Sequence, residues 1–201
     1  MAKGKVLKLW ETALLLSLCL TLCAGAWAEK RQSSIASSLV RLHVLAHSNS
    51  EAEQALKLRV RDAVLEYISP RLEGAQSAAD ARNILESEME GIARAAALVS
   101  EGRQVRVSLG EESYPTKAYE GFRLPAGEYE SLRVTLGEGA GENWWCIVFP
   151  PVCLSAVQSE PVEAAMNKED YALVSSREGW ELRFKTVELW GELKAMLEGG
   201  D

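Results

Sequence analysis

Residues 39–68 read LVRLHVLAHSNSEAEQALKLRVRDAVLEYI, and this stretch decides the fold. Its first eight residues, 39–46, are an apolar run of aliphatic and β-branched side chains, long enough for one strand. His47, Ser48, Asn49 and Ser50 then form a polar break of turn and cap formers. Ser50 stands three residues before Glu53, the spacing of a capping box, so a helix starts there. Leu56, Val60, Ala63, Val64 and Tyr67 recur at helical spacing and give that helix one apolar stripe. Leu58 and Leu65 do not join it. With Leu56 at zero and about 100° per residue they lie near 200° and 180°. Either a second helix covers them or they meet a partner.

Working outward, Pro70 and Gly74 end the first helix, and Ser77 with Asp80 caps a second. Ala81, Ile84, Leu85, Ile92, Ala95, Ala96 and Val99 carry that second helix to Val99, weakened by Gly91. The period then changes from helical to alternating. Val105, Val107 and Leu109 mark a half-buried strand, residues 114–122 an edge strand broken by Pro115, and Leu132, Val134 and Leu136 another strand. The continuous apolar run 144–149 reads as a central strand covered on both sides. Within it, alternation sends Trp144 and Trp145 to opposite faces, one to the core and the other free to anchor an interface. The expected fold class is α+β: a single domain, mostly antiparallel sheet with helices packed on one face.

Around this main domain, 39–155, four further segments are expected. Residues 1–28 combine Lys3, Lys5 and Lys8, an apolar stretch over 12–23 and the small-x-small site Ala26-Trp27-Ala28, the order of a signal peptide. An uncleaved anchor is the competing reading, because 12–28 reaches the lower limit of a spanning helix. Either way the body is exported. Residues 29–38 read as a flexible lead, 156–178 as an acidic linker, and 179–201 as a C-terminal strand and helix.

The chain has 201 residues, 47% of them hydrophobic, enough for one domain with a core. Its formal net charge is −7, and residues 1–28 are net positive, so the exported body is more acidic still. That argues against nucleic acid and anionic membrane surfaces as partners. No small-molecule substrate is evident. Cys19 and Cys23 lie in the N-terminal segment. Cys146 and Cys153 remain, either as a disulfide or as two buried thiols.

Candidate chemistry is sparse. His43 and His47 are the only histidines, and their spacing crosses a strand end into a turn with no further ligand beside it. They read as packing or hydrogen-bonding residues, and no metal or cofactor is assigned. No nucleophile elbow occurs, Cys146 lies in an apolar strand where a thiol is usually inert, and no catalytic residue is assigned. Residues 137–142, GEGAGE, lack the Lys-Ser/Thr of a phosphate loop and carry two glutamates, so they read as a hairpin loop.

Three segments also carry a resemblance. Arg41-Leu42-His43-Val44-Leu45-Ala46 with Ser48 and residues 54–64 make the first. Leu124-Pro125-Ala126-Gly127-Glu128-Tyr129 is the second. Asn143-Trp144-Trp145-Cys146-Ile147-Val148-Phe149-Pro150-Pro151-Val152-Cys153 is the third. Together they resemble the stage II sporulation protein R family of endospore-forming bacteria, with one departure: Ala46-His47-Ser48-Asn49 stands where that family usually has Ala-Asn-Ser-Asp.

The resemblance implies a protein exported into the space between forespore and mother cell. There it activates a membrane-embedded aspartic protease that processes pro-sigma-E. It implies a signal and not an enzyme. A cell-envelope hydrolase and an envelope-binding domain are the alternatives. For partner binding the sequence offers His47, Ser48, Asn49, Leu58, Leu65, Trp144 and Trp145.

Overall fold

Alternation within one strand organises the molecule. In the computed structural model, which describes residues 8–119, 121–153 and 159–175, β1 (Val40–Leu45) is buried along its whole length. It pairs in parallel with β5 (Gly127–Leu136) and antiparallel with β6 (Asn143–Phe149). β2 (Val105–Tyr114) adds antiparallel to β5, giving the order β2-β5-β1-β6. Two of the three pairings are antiparallel. A short hairpin, β3 (Lys117–Ala118) with β4 (Arg123–Leu124), follows the break at Pro115.

One sheet face packs on helices, as expected for an α+β domain. Ser50 caps α2 (Glu51–Leu72), its hydroxyl accepting the Glu53 N–H at 3.4 Å. Leu56, Val60, Val64, Leu65, Ile68 and Leu72 of α2 meet Leu42, Val44, Leu132, Val134 and Leu136 of the sheet in one core. Pro70 lies inside α2, and the helix closes two residues later. The single second helix expected to Val99 is two, α3 (Ala78–Ser87) and α4 (Met89–Val99), parted at Glu88. The Tyr67 hydroxyl donates to Glu88 Oε2 at 2.6 Å at that break. Gly91 is needed there: a Cβ on it would lie 1.8 Å from the Tyr67 oxygen.

The opposite face is covered too. α1 (Leu9–Ala36) is 28 residues long, with Leu14, Leu16 and Leu20 among its exposed side chains, and an 18-residue stretch of it with mean hydropathy 1.7 is, by length and composition, apolar enough to cross a membrane. Its last turns dock on the domain. Ile35 is buried, the Ser34 hydroxyl donates to Asp170 Oδ2 at 2.5 Å, and Arg31 donates to Asp170 Oδ1 at 3.1 Å. Residues 29–36, expected in a flexible lead, are therefore helical, held because buried Asp170 needs these donors.

The 156–178 segment likewise carries α5 (Ser159–Ala165) and α6 (Lys168–Ser175) over its described part, with Val162, Met166 and Val174 buried beside Ile35, Leu39, Tyr129 and Ile147. Its apolar residues are too few and too widely spaced for a periodic signal, but they complete this second core. The strand and helix expected in 179–201 lie outside the described residues.

Among the described residues β6 has a strand on one side only and stands at the sheet's edge, where a central strand was expected. Its run is continuously apolar because both faces meet a core, Val148 on one and Ile147 on the other. The Cys146–Cys153 disulfide, Cα atoms 5.9 Å apart, folds the following chain back along it.

Candidate partner-binding site

The 47–50 turn sits under the β5–β6 loop, and its polar atoms serve that contact. The Glu138 N–H donates to His47 Nδ1 at 3.1 Å, and the Ala140 N–H to the His47 carbonyl at 3.2 Å. The Glu142 N–H donates to Asn49 Oδ1 at 2.7 Å, and Gln54 Nε2 to the Ser48 carbonyl at 2.9 Å. The glycines of the loop make room for the turn. A Cβ on Gly137, where φ is +54°, would lie 2.4 Å from His47 Nδ1, and one on Gly141 would lie 2.4 Å from the Ser48 carbonyl oxygen. Lys57 locks the junction, donating to the Glu142 carbonyl at 2.9 Å and to Gln54 Oε1 at 2.6 Å. Burial, with a smaller contribution from Arg61, lowers its pKa against the opposing charge of Glu142.

The seven candidate side chains divide three ways. Leu65 is core, 4% exposed. Glu53 and Lys57 are buried within the same arc of α2, so the buried face is centred well round from Leu56 and reaches Leu65. The expectation of a patch containing both Leu58 and Leu65 is corrected accordingly.

Leu58 stays half-buried, in a row with Gln54 and Arg61. The Arg61 guanidinium stands 4.5 Å over the Trp144 ring, and among the described residues the buried Trp144 Nε1 has no hydrogen-bond partner. His47, Ser48, Asn49, Leu58 and Trp144 thus lie on one flank where α2 meets β6. The chain itself links them: Glu142, bonded to Asn49, is two residues before Trp144.

Trp145 faces the other way, with ring centroids 5.8 Å from His43 and 5.9 Å from Tyr114. It belongs to a polar cluster that residue spacing alone does not reveal. His43 Nδ1 donates to Glu112 Oε1 at 3.0 Å, and Nε2 lies 2.9 Å from Asn143 Oδ1. Ser131 Oγ donates to Glu112 Oε2 at 2.7 Å, and Arg133 Nη1 to Oε1 at 2.8 Å. Burial alone would raise the Glu112 carboxyl. The hydrogen bonds from Ser131 and His43, with the charges of His43 and Arg133, outweigh it and hold the pKa below the usual range.

Arg41, with no exposed surface, stacks 3.7 Å over Tyr114 and 4.9 Å over Tyr129 and donates to the Tyr119 hydroxyl at 2.9 Å, while among the described residues Nε and Nη1 have no partner. Burial raises the pKa of both Tyr114 and Tyr129. The available signal was an arginine and a histidine two apart in an otherwise apolar strand.

This cluster orients groups without offering a nucleophile. The serine bonds the carboxylate and not the imidazole, and the second imidazole nitrogen faces an amide. Cys146 is in the disulfide and cannot pair with His43 as a thiolate. Among the described residues no three His, Cys, Asp or Glu side chains converge as metal ligands.

The family model for stage II sporulation protein R matches residues 36–159. A curated relative, "Stage II sporulation protein R" of Bacillus subtilis (strain 168), is 37% identical over 147 residues. That alignment covers 71% of this chain and 66% of the relative. No solved structure matches. The matched span runs from the last turn of α1 through the sheet and α2–α4 to the start of α5, and holds both the α2–β6 flank and the polar cluster. The chain belongs to the stage II sporulation protein R family.

Proposed function

We propose that this protein is a signal of endospore formation exported by means of its apolar N-terminal helix into the space between forespore and mother cell. There it activates the membrane-embedded aspartic protease that processes pro-sigma-E. Family membership carries this reading, and α1 supports export, being long and apolar enough to enter a membrane.

The α2–β6 flank is the part of the domain that reads the partner. It combines a half-buried leucine, an arginine-stacked tryptophan whose buried indole N–H lacks an acceptor among the described residues, and a turn held rigid by the β5–β6 loop. Aromatic and arginine side chains in such settings dominate binding energy, and a rigid turn presents them at low entropic cost.

Reconstitution tests the proposal. The chain is added to the outer side of membranes carrying the protease, and pro-factor cleavage is followed. Cleavage that depends on the chain is expected. Absence of cleavage, together with degradation of purified wall polymer, would replace this reading with that of an envelope hydrolase.

A further inference from the structure

Trp144 and Cys146 stand two residues apart on the α2 side of β6, opposite Val44 and Leu42 of the main core. Cys146 is bonded to Cys153, whose side chain packs on that same core, while Val152 beside it is buried in the other. The chain leaving β6 therefore crosses the sheet edge here, and the disulfide pins the crossing next to Trp144. Backbone hydrogen bonds hold it weakly. Pro150 and Pro151 have no N–H to give. The Val152 N–H closes on the Pro150 carbonyl at 2.8 Å, within the turn, and the Cys153 N–H reaches back to the strand at 3.3 Å, on the Ile147 carbonyl. Both cysteines are half-buried, so neither sulfur is sealed inside a core.

A cytoplasm keeps such a pair as thiols, and spaces outside it let the disulfide form. A chain made in the first and working in the second changes redox state on the way. As thiols the two sulfurs separate to ordinary contact distance, and the covalent tie across the edge is gone. The outer edge of β6 then opens, Val152 loses its hold on the second core, and Trp144 loses the wall beside it.

We propose that the Cys146–Cys153 pair is a redox switch that arms the α2–β6 flank: reduced, the chain leaves the flank loose and does not signal, and oxidation outside the cytoplasm orders it. This rests on the reading of the protein as an exported signal. The oxidant is a thiol-exchanging disulfide. One cysteine thiolate attacks it, giving a mixed disulfide and releasing one thiol. The second cysteine thiolate attacks the mixed disulfide and releases the other. Two electrons and two protons leave on the two thiols, and the ring closes between Cys146 and Cys153.

The full chain in detergent micelles, oxidised or treated with a dithiol reductant, tests it. Maleimide should label two cysteines before reduction and four after. On reduction, amide exchange over residues 144–153 should quicken by about tenfold or more while α3 and α4 keep their protection. Protease activation should fall by a similar factor and return on reoxidation with a low-molecular-weight disulfide. Cys153→Ala, checked for folding by circular dichroism, should match the reduced parent and ignore the reductant. Equal exchange over that segment in the two states would overturn the proposal, as would equal activation. So would loss of protection throughout the domain, which makes the disulfide a general staple. If neither state activates the protease, the signalling reading fails, and the exchange comparison by itself decides whether the flank is switched.

Discussion

Arg41, Leu42, His43 and Val44 are consecutive in β1, yet Leu42 and Val44 enter one core and Arg41 and His43 the other side of the sheet. On the first face the centre of the α2–sheet contact is apolar, with the charged Glu53 and Lys57 paired at its margin, and stability there comes mainly from area removed from water. On the second, the apolar residues ring a set of charged and hydroxyl groups: Arg41, His43, Glu112, Tyr114 and Ser131. Desolvating those groups is costly unless their hydrogen bonds are made, so that face is held by geometry as much as by area. The two faces should therefore fail differently, the first to any buried charge and the second to the loss of one partner or to acid.

The largest effect is expected on the apolar face. Val60 is fully buried between α2 and the sheet. Val60→Asp places an unpaired carboxylate there and should destabilise by about 4 kcal/mol or more, enough to unfold a domain of this size. Far-UV circular dichroism and thermal melting would show it. A variant that melts like the parent would mean that this face is not the main core.

A smaller effect, of a different kind, belongs to Glu112. Its folded pKa is depressed below the unfolded value, so the carboxylate's contribution is present above the ordinary carboxylate pKa and is lost as pH falls through the folded pKa. Glu112→Gln keeps the shape but removes the charge that accepts from His43, Ser131 and Arg133. At neutral pH it should cost about 2 kcal/mol. The gap between the two melting temperatures should narrow as the pH is lowered through the acid range. A gap independent of pH would show that the carboxylate is not what this face depends on.

Much of the first face could be read from residues 39–68. The Ser50 cap, the stripe Leu56-Val60-Val64 and the alternation of Leu132, Val134 and Leu136 all act locally, and each is met in the structure. The second face was not legible, because its parts come from segments far apart in the chain, from α1 to α6, and they share no period. Asp170 recruits Ser34 and Arg31 across more than 130 residues, which turned an expected loose lead into a docked helix. The width of the buried arc on α2 was hidden by Glu53 and Lys57. Their charges suggest solvent, but Arg103 and the Glu142 carbonyl pair them inside. Leu65 went astray for that reason, and β6, at the edge among the described strands, looked central because its run is apolar on both faces.

The smallest effect on stability should carry the largest effect on function. Leu58 stands at the margin of that arc, half-buried beside Arg61 and outside both cores. A carboxylate there can turn to solvent and meet Arg61, so Leu58→Asp should change stability by no more than about 1 kcal/mol. Leu65→Asp, seven residues on and fully inside the core, should unfold the domain as Val60→Asp does. On the α2–β6 flank the same Leu58 charge removes the apolar part of the proposed partner contact and competes for the guanidinium that stacks on Trp144. Protease activation should fall at least tenfold while the melting curve is retained, whereas Trp145→Ala, on the opposite face, should affect folding before it affects recognition. The decisive measurement is activation and melting on the same preparations. If Leu58→Asp melts with Leu65→Asp, the flank is part of the core. If it folds and activates like the parent, the partner reads another face, and the open side of the polar cluster around Trp145 is where to look next.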